Sequence, residues 1–286
     1  MSAKIIDGRA LALKIKDQVK QQAQNIYEKI GRAPSLAVIM VGQDPASATY
    51  VRNKRRVSQE LGIKALDYDL PEKVSEKKLL KLISELNNQP KVDGILVQLP
   101  LPVHIDANKI ITSIDPNKDV DGFHPENLGK LLAGQPKFIP CTPAGIMEII
   151  YSVEEQIAGK KAVIIGRSNI VGKPTALLLL QADATVTLCH SRTKDLAQEC
   201  KAADILVVAV GKRYCILGDW IKPGTIVIDV GINRDAASGL CGDVDFTKAC
   251  DKAGYITPVP GGVGPMTIAM LMRNTIYAAK IREGLL

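Results

Sequence analysis

Aromatic residues are scarce: the 286-residue chain contains Phe 3, Trp 1 and Tyr 7. So few rings leave little on which successive bases could stack, which argues against a single-stranded nucleic-acid platform. The only histidines, His104, His124 and His190, are isolated, and no His-Glu-x-x-His pattern occurs. A protein-built zinc site is therefore not expected. The six cysteines show no Cys-x-x-Cys spacing. Long apolar runs are missing too, since Ala176–Leu180 and Ile205–Val210 fall far below the ~18 residues that suggest a membrane span. The N-terminal MSAKIIDGRALALKIK mixes charges among its apolar residues and lacks a signal peptide's apolar stretch. The expectation is a cytoplasmic chain with reduced, mostly buried thiols.

What is present suits a globular protein. Hydrophobic residues make up 46% and charged residues 23%, which excludes a disordered or fibrous chain. The length fits one large domain or two of ordinary size. Lys plus Arg number 37 against 30 Asp plus Glu, a formal net charge of +7. That excess favours anionic partners: nucleic acid, a membrane surface, or small phosphates and carboxylates.

Helix and strand patterns alternate along the first half. Residues 9–30 repeat apolar side chains at helical spacing (Leu11, Ile15, Val19, Ala23, Ile26) until Gly31 stops them. Residues 36–41 read as a buried strand, 45–61 as a helix opened by Pro45, 64–69 as a strand, 75–86 as a helix and 94–97 as a strand. A β-α-β-α-β order predicts a parallel sheet covered by helices. Residues 100–143 are punctuated by Pro and Gly, with short helices expected near 106–114 and 126–132; such a stretch suits a domain boundary. A second α/β alternation begins at Lys161, and residues 266–281 read as a final amphipathic helix after an irregular PVPGGVGP loop.

Within the second alternation, AVIIGRSNIVGKP (residues 162–174) runs a buried strand into Gly166-Arg167-Ser168, and Gly172 with Pro174 starts a helix. A helix N-terminus offers unpaired N–H groups and a positive dipole end, which suits a pyrophosphate. Gly166 permits a tight turn and Ser168 permits close backbone approach. The spacing is G-x-S-x-x-x-G rather than G-x-G-x-x-G, so an ordinary strand-turn-helix corner also fits. The next strand ends in His190-Ser191-Arg192 with no acid. A dinucleotide fold normally carries an acid there for the ribose 2′-hydroxyl, and its absence points to NADP over NAD, with Ser191 and Arg192 or Arg167 facing the 2′-phosphate. A solvated basic turn would have the same composition. Ile232, in VGIN after a later strand, stands where a nicotinamide would lie, although alone it is only a strand terminus.

Tyr50 and Lys54, in TYVRNK, share one face of the second helix, an arrangement that suits proton transfer, although such a pair alone is more often a plain solvated face. Tyr-x-x-x-Lys also occurs in short-chain dehydrogenases, but there it follows the nucleotide fingerprint and here it precedes it. DPNKDVDG tempts a calcium reading, yet counting from Asn117 the twelfth position is Leu128, where a bidentate Glu is needed. One of its carboxylates can instead receive a ligand's N–H groups, or all can stabilise turns. Gln98 ends a buried strand and enters a Pro-rich loop, the strand end at which open α/β sheets bind ligands.

TYVRNK, GILVQLPLP, DPNKDVDGFHPENLG, PCTPAGI, GRSNIVGKP, CHSRT, IDVGIN, GDVDF and PVPGGVGPMT occur in one order along nearly the whole chain. That set closely resembles the bifunctional methylenetetrahydrofolate dehydrogenase/methenyltetrahydrofolate cyclohydrolase family. The resemblance implies two α/β domains, an N-terminal catalytic domain with a parallel-type sheet and a Rossmann-like NADP-binding domain, with an active-site cleft between them. It places the first at residues 1–140 joined by the helix 266–286, and the second at 141–265. It also implies NADP-dependent oxidation of 5,10-methylenetetrahydrofolate, followed by hydrolysis of the methenyl product to 10-formyltetrahydrofolate, with no metal. Lys54 would match the catalytic lysine, Tyr50 the residue packing on the folate, Gln98 the residue tuning Lys54, and Asp121 the aspartate anchoring the pterin. The loop from Pro258 to Thr267, with Pro260, Gly261 and Gly262, resembles the one covering the substrate. Gly166, Arg167, Ser168, Ser191 and Ile232 match NADP-contacting positions, and homodimers joined through the nucleotide domain are implied. Thr175 stands where many members carry Met. The expected partners are tetrahydrofolate derivatives, including polyglutamylated ones, and neither nucleic acid nor membrane.

Overall fold

A computed structural model describes residues 2–235 and 239–286. In chain order its elements begin β1 (Lys4–Ile5), α1 (Gly8–Ile30), β2 (Ser35–Val41), α2 (Pro45–Glu60), β3 (Lys64–Leu70), α3 (Glu76–Asn87) and β4 (Gly94–Val97). The middle of the chain holds α4 (Ala107–Ser113), α5 (Pro125–Leu132), α6 (Cys141–Tyr151), β5 (Lys161–Ile165), α7 (Gly172–Gln181) and β6 (Thr185–Cys189). The last third adds α8 (Leu196–Ala202), β7 (Ile205–Val208), β8 (Ile226–Asp229), β9 (Asn233–Asp235), β10 (Gly239–Cys241), α9 (Phe246–Ala249), β11 (Tyr255–Ile256) and α10 (Val263–Arg282). The chain divides into two compact units, one of Lys14–Cys141 with Ile268–Leu286 and one of Met1–Leu13 with Thr142–Thr267.

The first unit is built on a parallel three-stranded sheet in the order β3-β2-β4. The apolar run SLAVIMV puts β2 at its centre, where almost every residue is buried. KALDYDL alternates instead, as an edge strand should, and leaves its charged side chains outward. Helix α3 begins where the Ser75 hydroxyl accepts from the Lys78 N–H at 3.3 Å, and it buries Leu79, Ile83 and Leu86 along one face. Those residues join Ala37, Ile39, Ile95 and Ile110 in one core.

The second unit carries a six-stranded parallel sheet in the order β1-β11-β8-β7-β5-β6. Its central strands, β7 and β8, are buried throughout because helices cover both faces. From β5 the chain goes outward to β6 on one side and returns to β7 on the other. The C-terminal ends of β5 and β7 therefore form a topological switch point, the place where such sheets bind ligands.

Three features correct the reading from sequence. The first is the placement of the N-terminus: Lys4 pairs with Tyr255 and Ile5 with Ile256. Residues up to Leu13 thus cluster with the large sheet, and the helix Gly8–Ile30 runs on from there into the first unit. Second, the last helix starts at Val263 rather than 266, so half of the Pro258–Thr267 segment is helical. Pro265 is tolerated there because first-turn N–H groups have no intrahelical acceptor. That helix is also buried nearly all round, at Met266, Ala269, Met270, Leu271, Met272, Ile276 and Ala279, rather than amphipathic. Third, an antiparallel β9–β10 ribbon was not anticipated; the loop joining its strands lies outside the described residues.

Candidate functional site

Helix α2 begins at Pro45 behind Asp44, whose carboxylate accepts from the Ser47 N–H at 2.8 Å. One turn separates Tyr50 from Lys54, and burial raises the Tyr50 phenol above its usual value. Lys54 is only 7% exposed. Its Nζ donates to Gln98 Oε1 at 3.0 Å, and Gln98 Nε2 donates to Leu99 O at 2.6 Å. The second bond leaves the amide oxygen as the atom Gln98 offers the lysine. Gln98 is thus no idle edge residue: it follows β4 directly and ties that strand end to α2.

The DPNKDVDG segment divides its acids between tasks. Asp115 accepts from the Asn117 N–H at 2.8 Å, a turn bond. Asp119, buried, accepts from Phe123 N at 3.2 Å, His124 N at 2.8 Å and Asn127 Nδ2 at 2.9 Å. Between them, Lys118 runs inward and donates to Leu86 O, Asn87 O and Gln89 O at 2.9, 2.7 and 2.9 Å, pinning the segment to the end of α3. Asp121 does something else. Its carboxyl feels the Lys54 charge and bonds the Cys141 thiol; burial raises its pKa, Lys54 opposes that rise and Asp119 adds to it. Cys141 is buried, its thiol pushed well up by burial and by Asp121. Tyr50, Lys54, Gln98 and Asp121 all belong to one unit. Lys54 is bonded to Gln98 and in the field of Asp121. Among the described residues no group of three His, Cys, Asp or Glu side chains is placed to hold a metal ion.

The nucleotide candidates belong to the other unit. Gly166 has φ +120, and a Cβ there would lie 2.2 Å from Ala209 O at the end of β7. At Gly172 a Cβ would lie 1.9 Å from Gly166 O, so the turn closes directly on the start of α7. The floor of this turn, at a helix N-terminus, is closed to any side chain. Ser168 has a role the sequence did not suggest: its Oγ accepts from Val171 N at 3.1 Å and Gly172 N at 3.3 Å, shaping the turn. Arg167 is exposed beside it. After β6, His190 N donates to Thr193 Oγ1 at 2.9 Å and Arg192 N to His190 Nδ1 at 3.2 Å, leaving Ser191 and Arg192 exposed on a tight turn. Ile232 is 47% exposed, an apolar surface beside the end of β8. The residues present fit NADP. Thr175 is buried and spends its hydroxyl on Val171 O at 2.8 Å, away from these contacts.

Two acids behind the glycine turn escaped sequence reasoning. Asp243 accepts from Val210 N at 2.8 Å, Gly211 N at 2.9 Å and Asn233 Nδ2 at 2.9 Å. Asp229 accepts from Gly231 N, Asp243 N and Val244 N at 2.9, 3.0 and 2.9 Å, and burial pushes its pKa up to about 6. The available signal was an acid within two residues of a Gly at or just beyond a strand, in IDVGIN and GDVDF. Within the same unit, Gly262 N donates to Pro258 O at 2.8 Å, and Gly261 has φ +115. Pro260 is exposed while Gly261 and Gly262 are buried. A Cβ on Gly8 would lie 1.9 Å from Gly262 O, so the start of α1 packs on this loop.

A doubly wound sheet with a glycine turn at its switch point, and a second α/β unit carrying a Tyr, Lys, Gln and Asp constellation, define a two-unit nucleotide-binding enzyme. Residues 6–121 match the model of the tetrahydrofolate dehydrogenase/cyclohydrolase catalytic domain, and residues 140–283 match the NAD(P)-binding domain of the same group. The chain belongs to the tetrahydrofolate dehydrogenase/cyclohydrolase family. It is 57% identical over 276 residues to the bifunctional protein FolD of Listeria innocua, covering 96% of this chain and 97% of that one. Among solved structures, the bifunctional FolD methylenetetrahydrofolate dehydrogenase/cyclohydrolase of Campylobacter jejuni is similar with a TM-score of 0.96 at 51% identity, over 98% of this chain and 100% of that one. The Trypanosoma brucei N5,N10-methylenetetrahydrofolate dehydrogenase-cyclohydrolase, complexed with NADP cofactor and inhibitor, gives a TM-score of 0.95 at 40% identity and 98% coverage of both chains.

Proposed function

We infer that the protein oxidises 5,10-methylenetetrahydrofolate with NADP to the 5,10-methenyl cation and hydrolyses that cation to 10-formyltetrahydrofolate. The observation that carries this reading is the Lys54–Gln98 bond beside Asp121, within a chain that matches both domains of the family. When bound, NADP supplies the hydride acceptor. The residues of this chain orient and exclude water: Tyr50 packs on the folate, Asp121 accepts from the pterin N–H groups, and the Pro260-Gly261-Gly262 loop covers the substrate. Lys54 sits at the reacting centre and polarises it.

In the second step a water adds to the electrophilic methenyl carbon. Both protons leave the water oxygen as the formyl carbonyl forms and the carbon–N5 bond breaks; N5 takes one and the other is released to solvent. Lys54 Nζ holds and moves protons in that exchange, and Gln98 keeps Nζ aimed through its amide oxygen. Gly166, Arg167, Ser168, Ser191 and Ile232 bind the nucleotide, with Arg167 and Ser191 on the 2′-phosphate. The folate domain comprises the β3-β2-β4 sheet with the last helix, and the nucleotide domain the six-stranded sheet. The protein works in the cytoplasm as a homodimer joined through its nucleotide domains, on folates that include polyglutamates. No described helix is long and apolar enough to cross a membrane. The test is a coupled assay with 5,10-methylenetetrahydrofolate and NADP, following NADPH formation and then loss of methenyl absorbance; neither signal above background would reject the reading.

A further inference from the structure

Asn274 lies within α10, 9% exposed, and nothing above gives it a task. Its Nδ2 donates to Val120 O at 2.9 Å and Ile139 O at 3.0 Å, with Cys141 Sγ at 3.7 Å. A primary amide has two N–H hydrogens, so two backbone carbonyls from separate stretches of chain use both. One of them belongs to the residue just before Asp121. The other lies in the stretch that leads to Cys141, whose thiol donates to Val120 O at 3.3 Å and bonds the Asp121 carboxyl.

The packing around this amide is tight. A Cβ on Gly122 would lie 2.7 Å from Pro140 N, so the turn after Asp121 rests directly on the 139–140 backbone. Further along α10, Tyr277 meets Phe138 edge-on with ring centroids 5.8 Å apart. The same helix backs the lysine: Ser58 Oγ bonds Lys54 O at 2.8 Å and lies 3.3 Å from Met272 Sδ. The same buried helix therefore supports, from different sides, the backbone behind both Lys54 and Asp121. Asn274 is the helix's polar contact with the Asp121 side, and an apolar residue in its place would leave Ile139 O unpaired and Val120 O with only the weak Cys141 thiol donor.

We propose that Asn274 is a positioning residue for the folate reaction: by clamping Val120 O and Ile139 O together it fixes the direction in which Asp121 meets its ligand. This rests on the reading of Asp121 as the residue that anchors the pterin. The amide never touches substrate, so its removal acts through Asp121 and leaves the nucleotide unit alone.

The experiment compares full-length wild type, Asn274→Ala, Asn274→Ser, Asp121→Asn and the Asp121→Asn/Asn274→Ala double variant. The readouts are KM for 5,10-methylenetetrahydrofolate, kcat, the pH profile of kcat/KM, and NADP binding. The loss of two buried hydrogen bonds should raise the folate KM of Asn274→Ala by about tenfold or more and displace the acid limb of its profile. NADP affinity should stay within about twofold, since the nucleotide cradle shares no partner with Asn274. Asn274→Ser, which keeps one donor, should recover part of the KM. In the Asp121→Asn background, Asn274→Ala should add little, because both act on one contact. A folded Asn274→Ala with wild-type KM and pH profile overturns the proposal, as does a double variant whose losses multiply in full. If neither Asn274 variant folds, Asn274 is a stability residue and the proposal fails. If Asp121→Asn leaves the folate KM unchanged, the anchoring role of Asp121 itself fails; if only Asn274→Ala leaves it unchanged, that role stands and the proposal alone falls.

Discussion

The Lys54 ammonium and the Gln98 amide oxygen meet at 3.0 Å, joining α2 to the end of β4. Each was unremarkable alone, a lysine on a helix and a glutamine at a strand end. Their bond holds a nearly buried cation in one direction, with Asp121 supplying opposite charge nearby. A solvated helix face would need neither partner.

Lys54→Ala should abolish hydrolysis of the methenyl substrate and leave NADP affinity within about twofold, because the lysine and the nucleotide cradle share no partner. Stopped-flow loss of methenyl absorbance, with a parallel NADP titration, checks this. Normal hydrolysis by the variant would remove Lys54 from the mechanism.

Asp121 predicts a pH dependence. Its pKa is raised by burial, against Lys54 and with Asp119, so the carboxyl takes up a proton at a higher pH than an ordinary aspartate at ~3.9. As pH falls, this carboxylate is lost early, and if it anchors the pterin as proposed, kcat/KM for the folate should decline on an acid limb centred above that value. Asp121→Asn should erase this limb and raise KM at every pH. A limb that persists in the variant belongs to another group.

Arg167 is exposed beside the glycine turn, with Ser191 and Arg192 on the neighbouring exposed turn. Arg167→Ala should weaken NADP by about tenfold or more and NAD hardly at all, since a charge-assisted bond to the 2′-phosphate is what distinguishes the two. Equilibrium titration with both nucleotides measures the difference. Equal losses would put 2′-phosphate recognition elsewhere.

Gly172→Ala would place a methyl 1.9 Å from Gly166 O, backbone that cannot swing aside. The turn must open, at a cost on the order of 3 kcal/mol. A lower Tm together with lost NADP binding is the expected result; a variant that melts and binds like wild type would contradict the cradle geometry.

Much of this was legible in the sequence, and the exceptions have physical causes. Buried strands such as Ile205–Val208 and the glycine turn at Gly166 announce themselves through apolar runs and backbone need. β1 does not, because two residues carry no period and its partner, Tyr255–Ile256, is remote in sequence. The start of α10 was hidden by Pro and Gly that read as loop, although its first turn accepts proline. In DPNKDVDG the composition could not separate Asp121 from its neighbours; only the backbone N–H groups that occupy Asp115 and Asp119 do so. Asn274 left no trace, since one amide in an apolar helix has no pattern to betray it.

The most direct test follows one reaction mixture of purified protein, 5,10-methylenetetrahydrofolate and NADP, with Lys54→Ala alongside. The account predicts NADPH formation by the wild type with methenyl absorbance rising only transiently, and no enzymatic decay of that absorbance in the variant. Failure of the wild type to form NADPH, or equal methenyl decay in both proteins, would contradict it.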